Sequence, residues 1–344
     1  MRVHLPLCGQ LREHVSFSEL RLFNECQWRW LLTKLYGIAP EDRSFQMDFG
    51  KATHAGMEVL YDRESPGDVT RSSEHALGMY DAALLDYPNM HPSDFEESRR
   101  IRDVLPRFYA DCLRCSELQG IRSLVSELKL MQPIARTDGL ALHFKGFIDI
   151  TFIKRLKRKT VIYIADFKTC SWGWPAAKFQ DIEIISQLLL YKHFFCKMMG
   201  ADPRNVSTAF ILLKKDPRTE DELTVDVRKV SAGPKATERA LEYLQRTITE
   251  MHSYAYSKNL DACERIWVDR KTGEERRARC PFLNTDDCHH TFDPTELAAE
   301  KAASREADAL AISSGSKTVE QVHRENSAFA FPRDRVRLTF PSKF

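Results

Sequence analysis

The chain lacks the features that mark a membrane protein, a secreted protein or a protein with one dominant charge. No apolar run in its 344 residues approaches the length that a bilayer span requires. The N-terminus, from Met1 to Cys8, has neither a sustained apolar core nor a small-residue cleavage site, so we expect no secretory signal. Lys and Arg number 51 against 49 Asp and Glu, and a net charge of +2 neither indicates nor excludes a nucleic-acid partner.

The nine cysteines do not form the even set that a disulfide framework would need. In a long chain without a secretory signal, reduced thiols and metal ligands are the better interpretation. We find no internal repeat, and a hydrophobic content of 43% is enough for one large core or two modest ones.

Hydrophobic spacing predicts helices first, then strands, then a mixture of both. The first helix begins with a capping box at Ser16 and Glu19, and the predicted helices cover residues 16–37, 54–61, 74–85, 98–118, 181–199 and 236–256. Runs rich in Val, Ile, Phe and Leu predict strands over residues 123–134, 141–153, 161–167, 208–213 and 223–230. This order predicts an α/β fold with a mixed central sheet flanked by helices.

The composition also predicts how the chain is divided. We expect one domain over residues 1–295, with a helical insertion before the core at about 58–118 and a cysteine-bearing C-terminal part at about 257–292. Residues 296–344 turn Ala- and Glu-rich and then polar, which favours an appendage.

Two acidic residues and a lysine stand near the ends of neighbouring predicted strands. Asp149 closes one strand, and Asp166 and Lys168 lie on the next, beyond a short basic turn. Because side chains alternate along a strand, Asp166 and Lys168 share one face and Phe167 points the other way. Two carboxylates can hold a hard divalent cation, and an ammonium group can orient a water beside it. This chemistry hydrolyses phosphodiesters.

Five short motifs occur along the chain in one order. They are Gly50-x-x-x-His54, Glu127 in a strand, Gly146-Phe147-Ile148-Asp149, Asp166-Phe167-Lys168 and Gln187-x-x-x-Tyr191. Each alone is more often an ordinary turn, strand end or core helix. Together they resemble the PD-(D/E)XK nuclease superfamily and, within it, the RecB-like branch.

The resemblance implies a restriction-endonuclease-like fold with a metal-dependent site. The implied ligands of Mg²⁺ or Mn²⁺ are His54, Asp149, Asp166 and the backbone carbonyl of Phe167. Lys168 would orient the attacking water or stabilise charge on the phosphate. Glu127 fits the acidic position on the first strand, and Gln187 and Tyr191, on one helix face, can reach the phosphate or the lysine.

The implied activity is hydrolysis of DNA, by an exonuclease acting on single strands or duplex ends. A structure-specific endonuclease with the same chemistry stays open, as does a non-catalytic DNA-binding subunit, although the intact acids and lysine argue against the latter. We expect DNA as the partner, no membrane association, and a cytoplasmic location in a bacterial or phage-infected cell. Phage recombination, repair and CRISPR-linked settings all fit, and the sequence predicts no particular protein partner.

Four cysteines bracket the motifs: Cys26, Cys263, Cys280 and Cys288. They resemble the iron–sulfur subgroup of RecB-like nucleases, in which four thiolates hold a [4Fe-4S] cluster that joins the two ends of the domain. Sixteen residues separate Cys263 from Cys280 and seven separate Cys280 from Cys288, a wider spacing than the subgroup's. The sixteen favour an inserted hairpin that turns at residues 270–273. His289 and His290 leave zinc as the alternative.

Other candidate residues are less specific. Cys112 and Cys115 have metal-ligand spacing, but they lie in a helical pattern without a second pair nearby. Basic residues crowd two turns and could follow a DNA backbone: Lys154, Arg155, Lys157, Arg158, Lys159, Arg276, Arg277 and Arg279. Trp172 and Trp174 follow Lys168 closely and could stack on bases or cap the core.

Overall fold

The structure, a computed structural model, describes most of the chain and divides it into two compact units. The described residues are 13–38, 44–62, 66–137, 140–155, 160–252, 256–259, 262–268, 275–283, 285, 288, 306, 310, 313 and 314. The sheet unit consists of residues 43–133 and 144–243, and the terminal unit of residues 1–42, 134–143 and 244–344. Within the described ranges, no helix combines the length and apolar character needed to cross a bilayer.

Some residues considered above fall outside the described ranges. They are Cys8, the turns at 156–159 and 270–273, the pair His289 and His290, and residues 296–344 apart from Glu306, Leu310, Ser313 and Ser314. The predictions that rest on them stay predictions.

Four helices precede the strands of the sheet unit. They are α3 (Phe45–Leu60), α4 (Val69–Leu84), α5 (Pro92–Arg102) and α6 (Leu105–Arg114). The helix expected at 54–61 begins earlier, where the Ser44 hydroxyl accepts from the Met47 N–H. The helix expected at 98–118 is two helices, because Pro106 occupies the first turn of α6, where a missing N–H costs nothing.

The strands form the mixed sheet that the sequence predicts. They are β2 (Arg122–Thr137), β3 (Leu140–Arg155), β4 (Thr160–Cys170), β5 (Val206–Lys214) and β6 (Val225–Val230). Strand β4 pairs antiparallel with β3 and parallel with β5, and β6 closes the edge antiparallel to β5. Helix α7 (Ile182–Met199) makes the crossover between the parallel strands and ends at Gly200, whose φ of +61° suits glycine. Helix α8 (Pro234–Met251) follows.

The insertion helices share a core with one face of the sheet. Fully buried aromatic rings from both sides meet there, including Phe49, Tyr80, Phe108 and Phe167. At the far edge, the buried Asp111 of α6 accepts hydrogen bonds from the N–H and the hydroxyl of Thr224, at 2.8 and 2.9 Å. The insertion is therefore fixed to the strand β6 side through a buried polar contact as well as through the core.

The terminal unit begins with β1 (His14–Ser16), which pairs with β3, and α1 (Phe17–Glu25). The capping box is confirmed, because the Ser16 hydroxyl accepts from the Glu19 N–H. The single helix expected to reach Gly37 is broken at Cys26, which is extended with φ of −159°. A short helix α2 (Gln27–Trp30) and a π-helical turn (Leu31–Leu35) follow. The expected hairpin is present as β7 (Glu264–Val268) and β8 (Glu275–Arg279).

Gly56 marks the closest approach of α3 and α6. A Cβ atom at this position would collide with the ring and hydroxyl of Tyr109. Gly56→Ala is therefore expected to destabilise the protein by about 1–3 kcal/mol, as overpacking does. The measurement is urea or thermal unfolding.

Gly78, exposed in α4, is the matched control. A Cβ there meets nothing within 4 Å, so Gly78→Ala is expected to stabilise by about 0.5–1 kcal/mol through helix propensity. Equal effects of the two alanines would contradict the close packing of α3 against α6.

Candidate metal centre

The candidate centre lies where strands β3 and β4 separate. The last pair in their ladder is Ile150 with Ala165, and Asp149 and Asp166 follow directly after it. Beyond that pair, Asp149 Oδ2 accepts a hydrogen bond from the Phe167 N–H at 2.7 Å. A side-chain carboxylate therefore replaces a backbone carbonyl as the acceptor. Both acids, adjacent in the fold as predicted, are therefore held at a gap between strands.

Asp166 is almost fully buried, at 1% exposure. Its Oδ1 accepts from Gln187 Nε2 at 2.7 Å. Lys168 Nζ lies 2.5 Å from Oδ2, but the approach lacks hydrogen-bond geometry, and Oδ2 is a buried acceptor without a hydrogen-bond donor. Such an oxygen is costly unless a cation or water completes its shell, so the donor set fits a metal ion.

Three ligand groups converge near Asp166, whose negative charge acts on each of them. One atom each of His54, Glu127 and Asp149 lies within 4.8 Å of the others, and His54 Nδ1 is 3.5 Å from Asp149 Oδ2. The His54 and Phe167 rings meet edge to face with centroids 5.8 Å apart, so Phe167 adjoins this group. One nitrogen and several carboxylate oxygens suit Mn²⁺ or Mg²⁺, the nitrogen leaning toward Mn²⁺.

Glu127 reaches the group from a strained backbone. Its φ is +50°, and it is the one non-glycine residue with positive φ in the described part of the chain. An L-residue pays about 1–2 kcal/mol for this conformation. Backbone strain of this kind persists only where the surrounding structure enforces it, and it is concentrated at functional sites.

The acidic side chains of the centre repel one another electrostatically. Burial first, and then the negative charge of Asp166, raise the pKa of Asp149 well above its usual range. Burial, with Glu58 and Asp166 nearby, raises the pKa of Glu127. Burial lowers the pKa of His54, so its imidazole is neutral at pH 7 and keeps a lone pair for a metal. A divalent cation would relieve the repulsion between the acids.

Gln187 contacts Asp166 rather than the lysine, and Tyr191 contacts Gln187. Gln187 Nε2 donates to Asp166 and also lies 3.3 Å from Tyr191 Oη. The Tyr191 ring packs against Gly146, where a Cβ would come within 2.6 Å of Cε1. The pair therefore positions Asp166, a contact that the sequence alone did not specify.

Glu58 is a further candidate that the sequence reasoning missed. It lies one helical turn after His54 on α3, and its charge acts on Glu127. Burial raises its pKa, and the nearby His75 opposes this. The four-residue spacing between His54 and Glu58 could have identified this candidate from the sequence.

The four candidate cysteines lie in the terminal unit, and none forms a disulfide. Cys26, Cys263 and Cys288 are buried and Cys280 is half-buried. The Cys280 N–H donates to the Cys263 carbonyl at 2.7 Å, and Cys280 and Cys288 share an apolar cluster with Leu32 and Phe282.

Two hydrogen bonds join the backbone on either side of Cys26 to the segment that precedes Cys263. The Trp28 N–H donates to the Ser257 carbonyl at 3.0 Å, and Asn259 Nδ2 donates to the Glu25 carbonyl at 2.9 Å. The backbone thus brings the N-terminal and C-terminal cysteine segments together. Cys112 and Cys115 lie instead in the core of the sheet unit, with the Cys112 thiol 3.8 Å from Met57 Sδ.

The two tryptophans differ in their surroundings. Trp174 packs on Phe179 and Phe210, with centroid distances of 5.7 and 5.1 Å, and so caps the core. Trp172 is 48% exposed. In the first basic stretch, Lys154 donates to the Glu117 carbonyl at 2.8 Å. The rest of that stretch, from Lys157 to Lys159, lies outside the described residues. In the second stretch, the structure does not describe the side chains of Arg276, Arg277 and Arg279.

Comparison with known proteins identifies one family. The family model of the PD-(D/E)XK nuclease superfamily matches residues 14–284. A crystal structure from Eubacterium rectale, of a protein described as a candidate exonuclease, aligns with 14% identity and a TM-score of 0.42 over 82% of this chain and 89% of that chain. A search of the curated proteins found no match.

The raised pKa of Asp149 predicts how the metal-free protein responds to pH. Below about pH 3.9, the pKa of an aspartate in the unfolded chain, the Asp149 carboxyl is protonated in both the folded and the unfolded protein. Its burial then costs the fold no stability through an unfavourable charge. As the pH rises through the higher folded pKa, stability is lost. Asp149→Asn keeps an acceptor for the Phe167 N–H without the charge, so it is expected to be more stable than the unchanged protein at neutral pH.

The measurement is thermal unfolding in a chelator between about pH 4 and pH 8. The control Asp202→Asn removes a carboxylate whose pKa is lowered by Arg204, and it is expected to gain no stability. Added Mn²⁺ is expected to stabilise the unchanged protein and not Asp149→Asn. A variant that lost stability across the whole range would contradict a strained acid pair.

Proposed function

The chain belongs to the PD-(D/E)XK nuclease superfamily, and from this premise we propose that it is a divalent-metal-dependent deoxyribonuclease of the RecB-like branch. The observation that carries the proposal is the convergence of His54, Glu127 and Asp149 near the buried carboxylate of Asp166. We further propose that it acts as an exonuclease on single-stranded DNA or duplex ends.

The roles of the residues follow from their positions. His54, Glu127, Asp149, Asp166 and the Phe167 carbonyl would hold the cation. When bound, it would polarise a phosphoryl oxygen and lower the pKa of a coordinated water. Lys168, beside Asp166 and 31% exposed, is placed to orient that water or to stabilise negative charge on the phosphate.

Two features support the RecB-like branch. The histidine of the Gly50-x-x-x-His54 motif lies 3.5 Å from Asp149, and the glutamine of the Gln187-x-x-x-Tyr191 motif holds Asp166. Both motifs therefore contribute to one centre, as the resemblance implies. The same contacts disfavour a purely DNA-binding subunit, because such a protein would not need a supported pair of buried acids.

The cysteines support a second proposal, that the terminal unit holds a [4Fe-4S] cluster. Three of the four thiols are buried, and backbone hydrogen bonds join Cys263 to Cys280 and the segment after Cys26 to the segment before Cys263. Such ligands suit iron–sulfur clusters and zinc. A cluster here would join the N-terminal and C-terminal parts of the unit.

Lys168→Ala tests the hydrolytic role. Removing a charged donor at the reacting centre is expected to lower the cleavage rate by about 100-fold or more. DNA binding should remain, because backbone contacts elsewhere supply most affinity. The measurement is cleavage of end-labelled DNA with Mn²⁺, alongside fluorescence anisotropy for binding. Lys235→Ala, which removes an exposed lysine at the start of α8, is the control and should cut normally.

The same assay separates the modes of cleavage. We expect degradation of linear single strands and no cutting of closed circles. Cutting of circles would replace the exonuclease proposal with an endonuclease, and near-normal cutting by Lys168→Ala would refute the role of the lysine.

The cluster proposal predicts a brown protein when it is purified without oxygen. Absorbance near about 400 nm is expected, and Cys280→Ser should lose it. Cys112→Ala, at a buried thiol of the other unit, should keep the absorbance. A colourless protein with stoichiometric zinc would overturn the cluster in favour of a zinc site.

A further inference from the structure

An exposed aromatic ring adjoins the metal centre on strand β3. Phe147 is 42% exposed, although large apolar side chains near a core are usually buried. It lies two residues from Asp149, which corresponds to about 7 Å along a strand. The proposed nuclease function gives this ring no role.

Contacts on either side of β3 fix the direction of the ring. Phe144 stacks on Phe194 of α7 with centroids 4.7 Å apart, and Gly146 meets Tyr191 of the same helix. Phe147, which alternates with them, therefore points away from α7. Asp149, two residues further along β3, has its Oδ2 3.5 Å from His54 Nδ1 on α3.

Lysines accompany the ring. Lys145 Nζ is 5.9 Å from the centroid of Phe147, which places it over the same side of β3. On the neighbouring strand β2, Thr151 Oγ1 donates to the Val125 carbonyl at 3.0 Å and so aligns the two strands of the hairpin. Lys129, exposed on β2, lies two residues after Glu127.

We propose that Phe147 is a base-stacking residue, and that Lys129 and Lys145 contact the phosphates of a single strand as it enters the metal centre. The proposal rests on the proposed nuclease function and specifies its substrate as an unpaired strand. A ring face stacks on a base only when that base has left its duplex stack, and every base offers such a face without regard to sequence. Lys145 beside the ring, and Lys129 close in sequence to Glu127, complement the charge of the backbone.

The site therefore combines two kinds of contact. Carboxylates and an imidazole hold the cation at the reacting phosphate, and an apolar surface takes the adjacent base. The expected consequence is a preference for single strands that resides in Phe147 and is independent of Lys168.

The experiment measures binding without cleavage. In the Lys168→Ala background, fluorescence anisotropy with a labelled oligothymidylate and with a blunt duplex is compared for Phe147→Ala, Phe147→Trp and the control Phe95→Ala. Phe95 is exposed at 52% on α5. Phe147→Ala is expected to weaken single-strand binding about 10-fold, Phe147→Trp to restore it, and Phe95→Ala to change nothing. Duplex binding should change much less.

The lysines have a separate readout. Lys145→Ala and Lys129→Ala should each reduce the dependence of log affinity on log salt by about 0.7 for a single strand, whereas Phe147→Ala should leave that slope unchanged. Unaltered thermal unfolding of each variant excludes a folding defect.

The outcomes distinguish this inference from the proposed function. If the unchanged protein cuts DNA but Phe147→Ala binds single strands with unaltered affinity, the stacking role is refuted and the nuclease remains. An equal loss on the single strand and the duplex would also refute it. If the unchanged protein neither binds nor cuts DNA with Mn²⁺ or Mg²⁺, the proposed function itself fails.

Discussion

The burial of two carboxylates at one gap in the sheet is the constraint on which the rest of the structure depends. Asp149 and Asp166 sit where water is scarce, and each disfavours the charge of the other. The protein offsets part of this cost with the Phe167 N–H, the Gln187 amide and the Lys168 ammonium. Asp166 Oδ2 faces the Lys168 ammonium but accepts no hydrogen bond of normal geometry, and a divalent cation would complete its shell.

The surrounding elements are placed to hold that arrangement. Helix α7 supplies Gln187 from one side of the sheet, and α3 supplies His54 from the side that contains the insertion. Strand β2 supplies Glu127 from a backbone conformation that few side chains adopt. Three separate segments thus converge on acids carried by two strands, which makes the centre a product of the fold and not of a local motif.

Much of this could be predicted from sequence because it depends on local regularities. Alternation along β4 places Asp166 and Lys168 together, and the apolar run with its terminal glycine specifies α7. The mixed sheet follows from the order of elements. Local regularity does not predict that the first helix breaks at Cys26. The backbone is extended there, and the Cys26 sulfur accepts a hydrogen bond from the Arg29 N–H at 3.5 Å. Local regularity likewise does not predict the positive φ of Glu127.

The contact between Asp111 and Thr224 has a consequence for the insertion as a whole. The buried carboxylate accepts twice from one residue at the edge of the sheet, and Arg107 of the same helix donates to the carbonyls of Glu220 and Glu222. Opening α6 alone would leave a charge and several backbone groups unpaired. The insertion and the sheet should therefore exchange their amide hydrogens as one cooperative foldon, and an attempt to trim the insertion would cost the sheet its integrity.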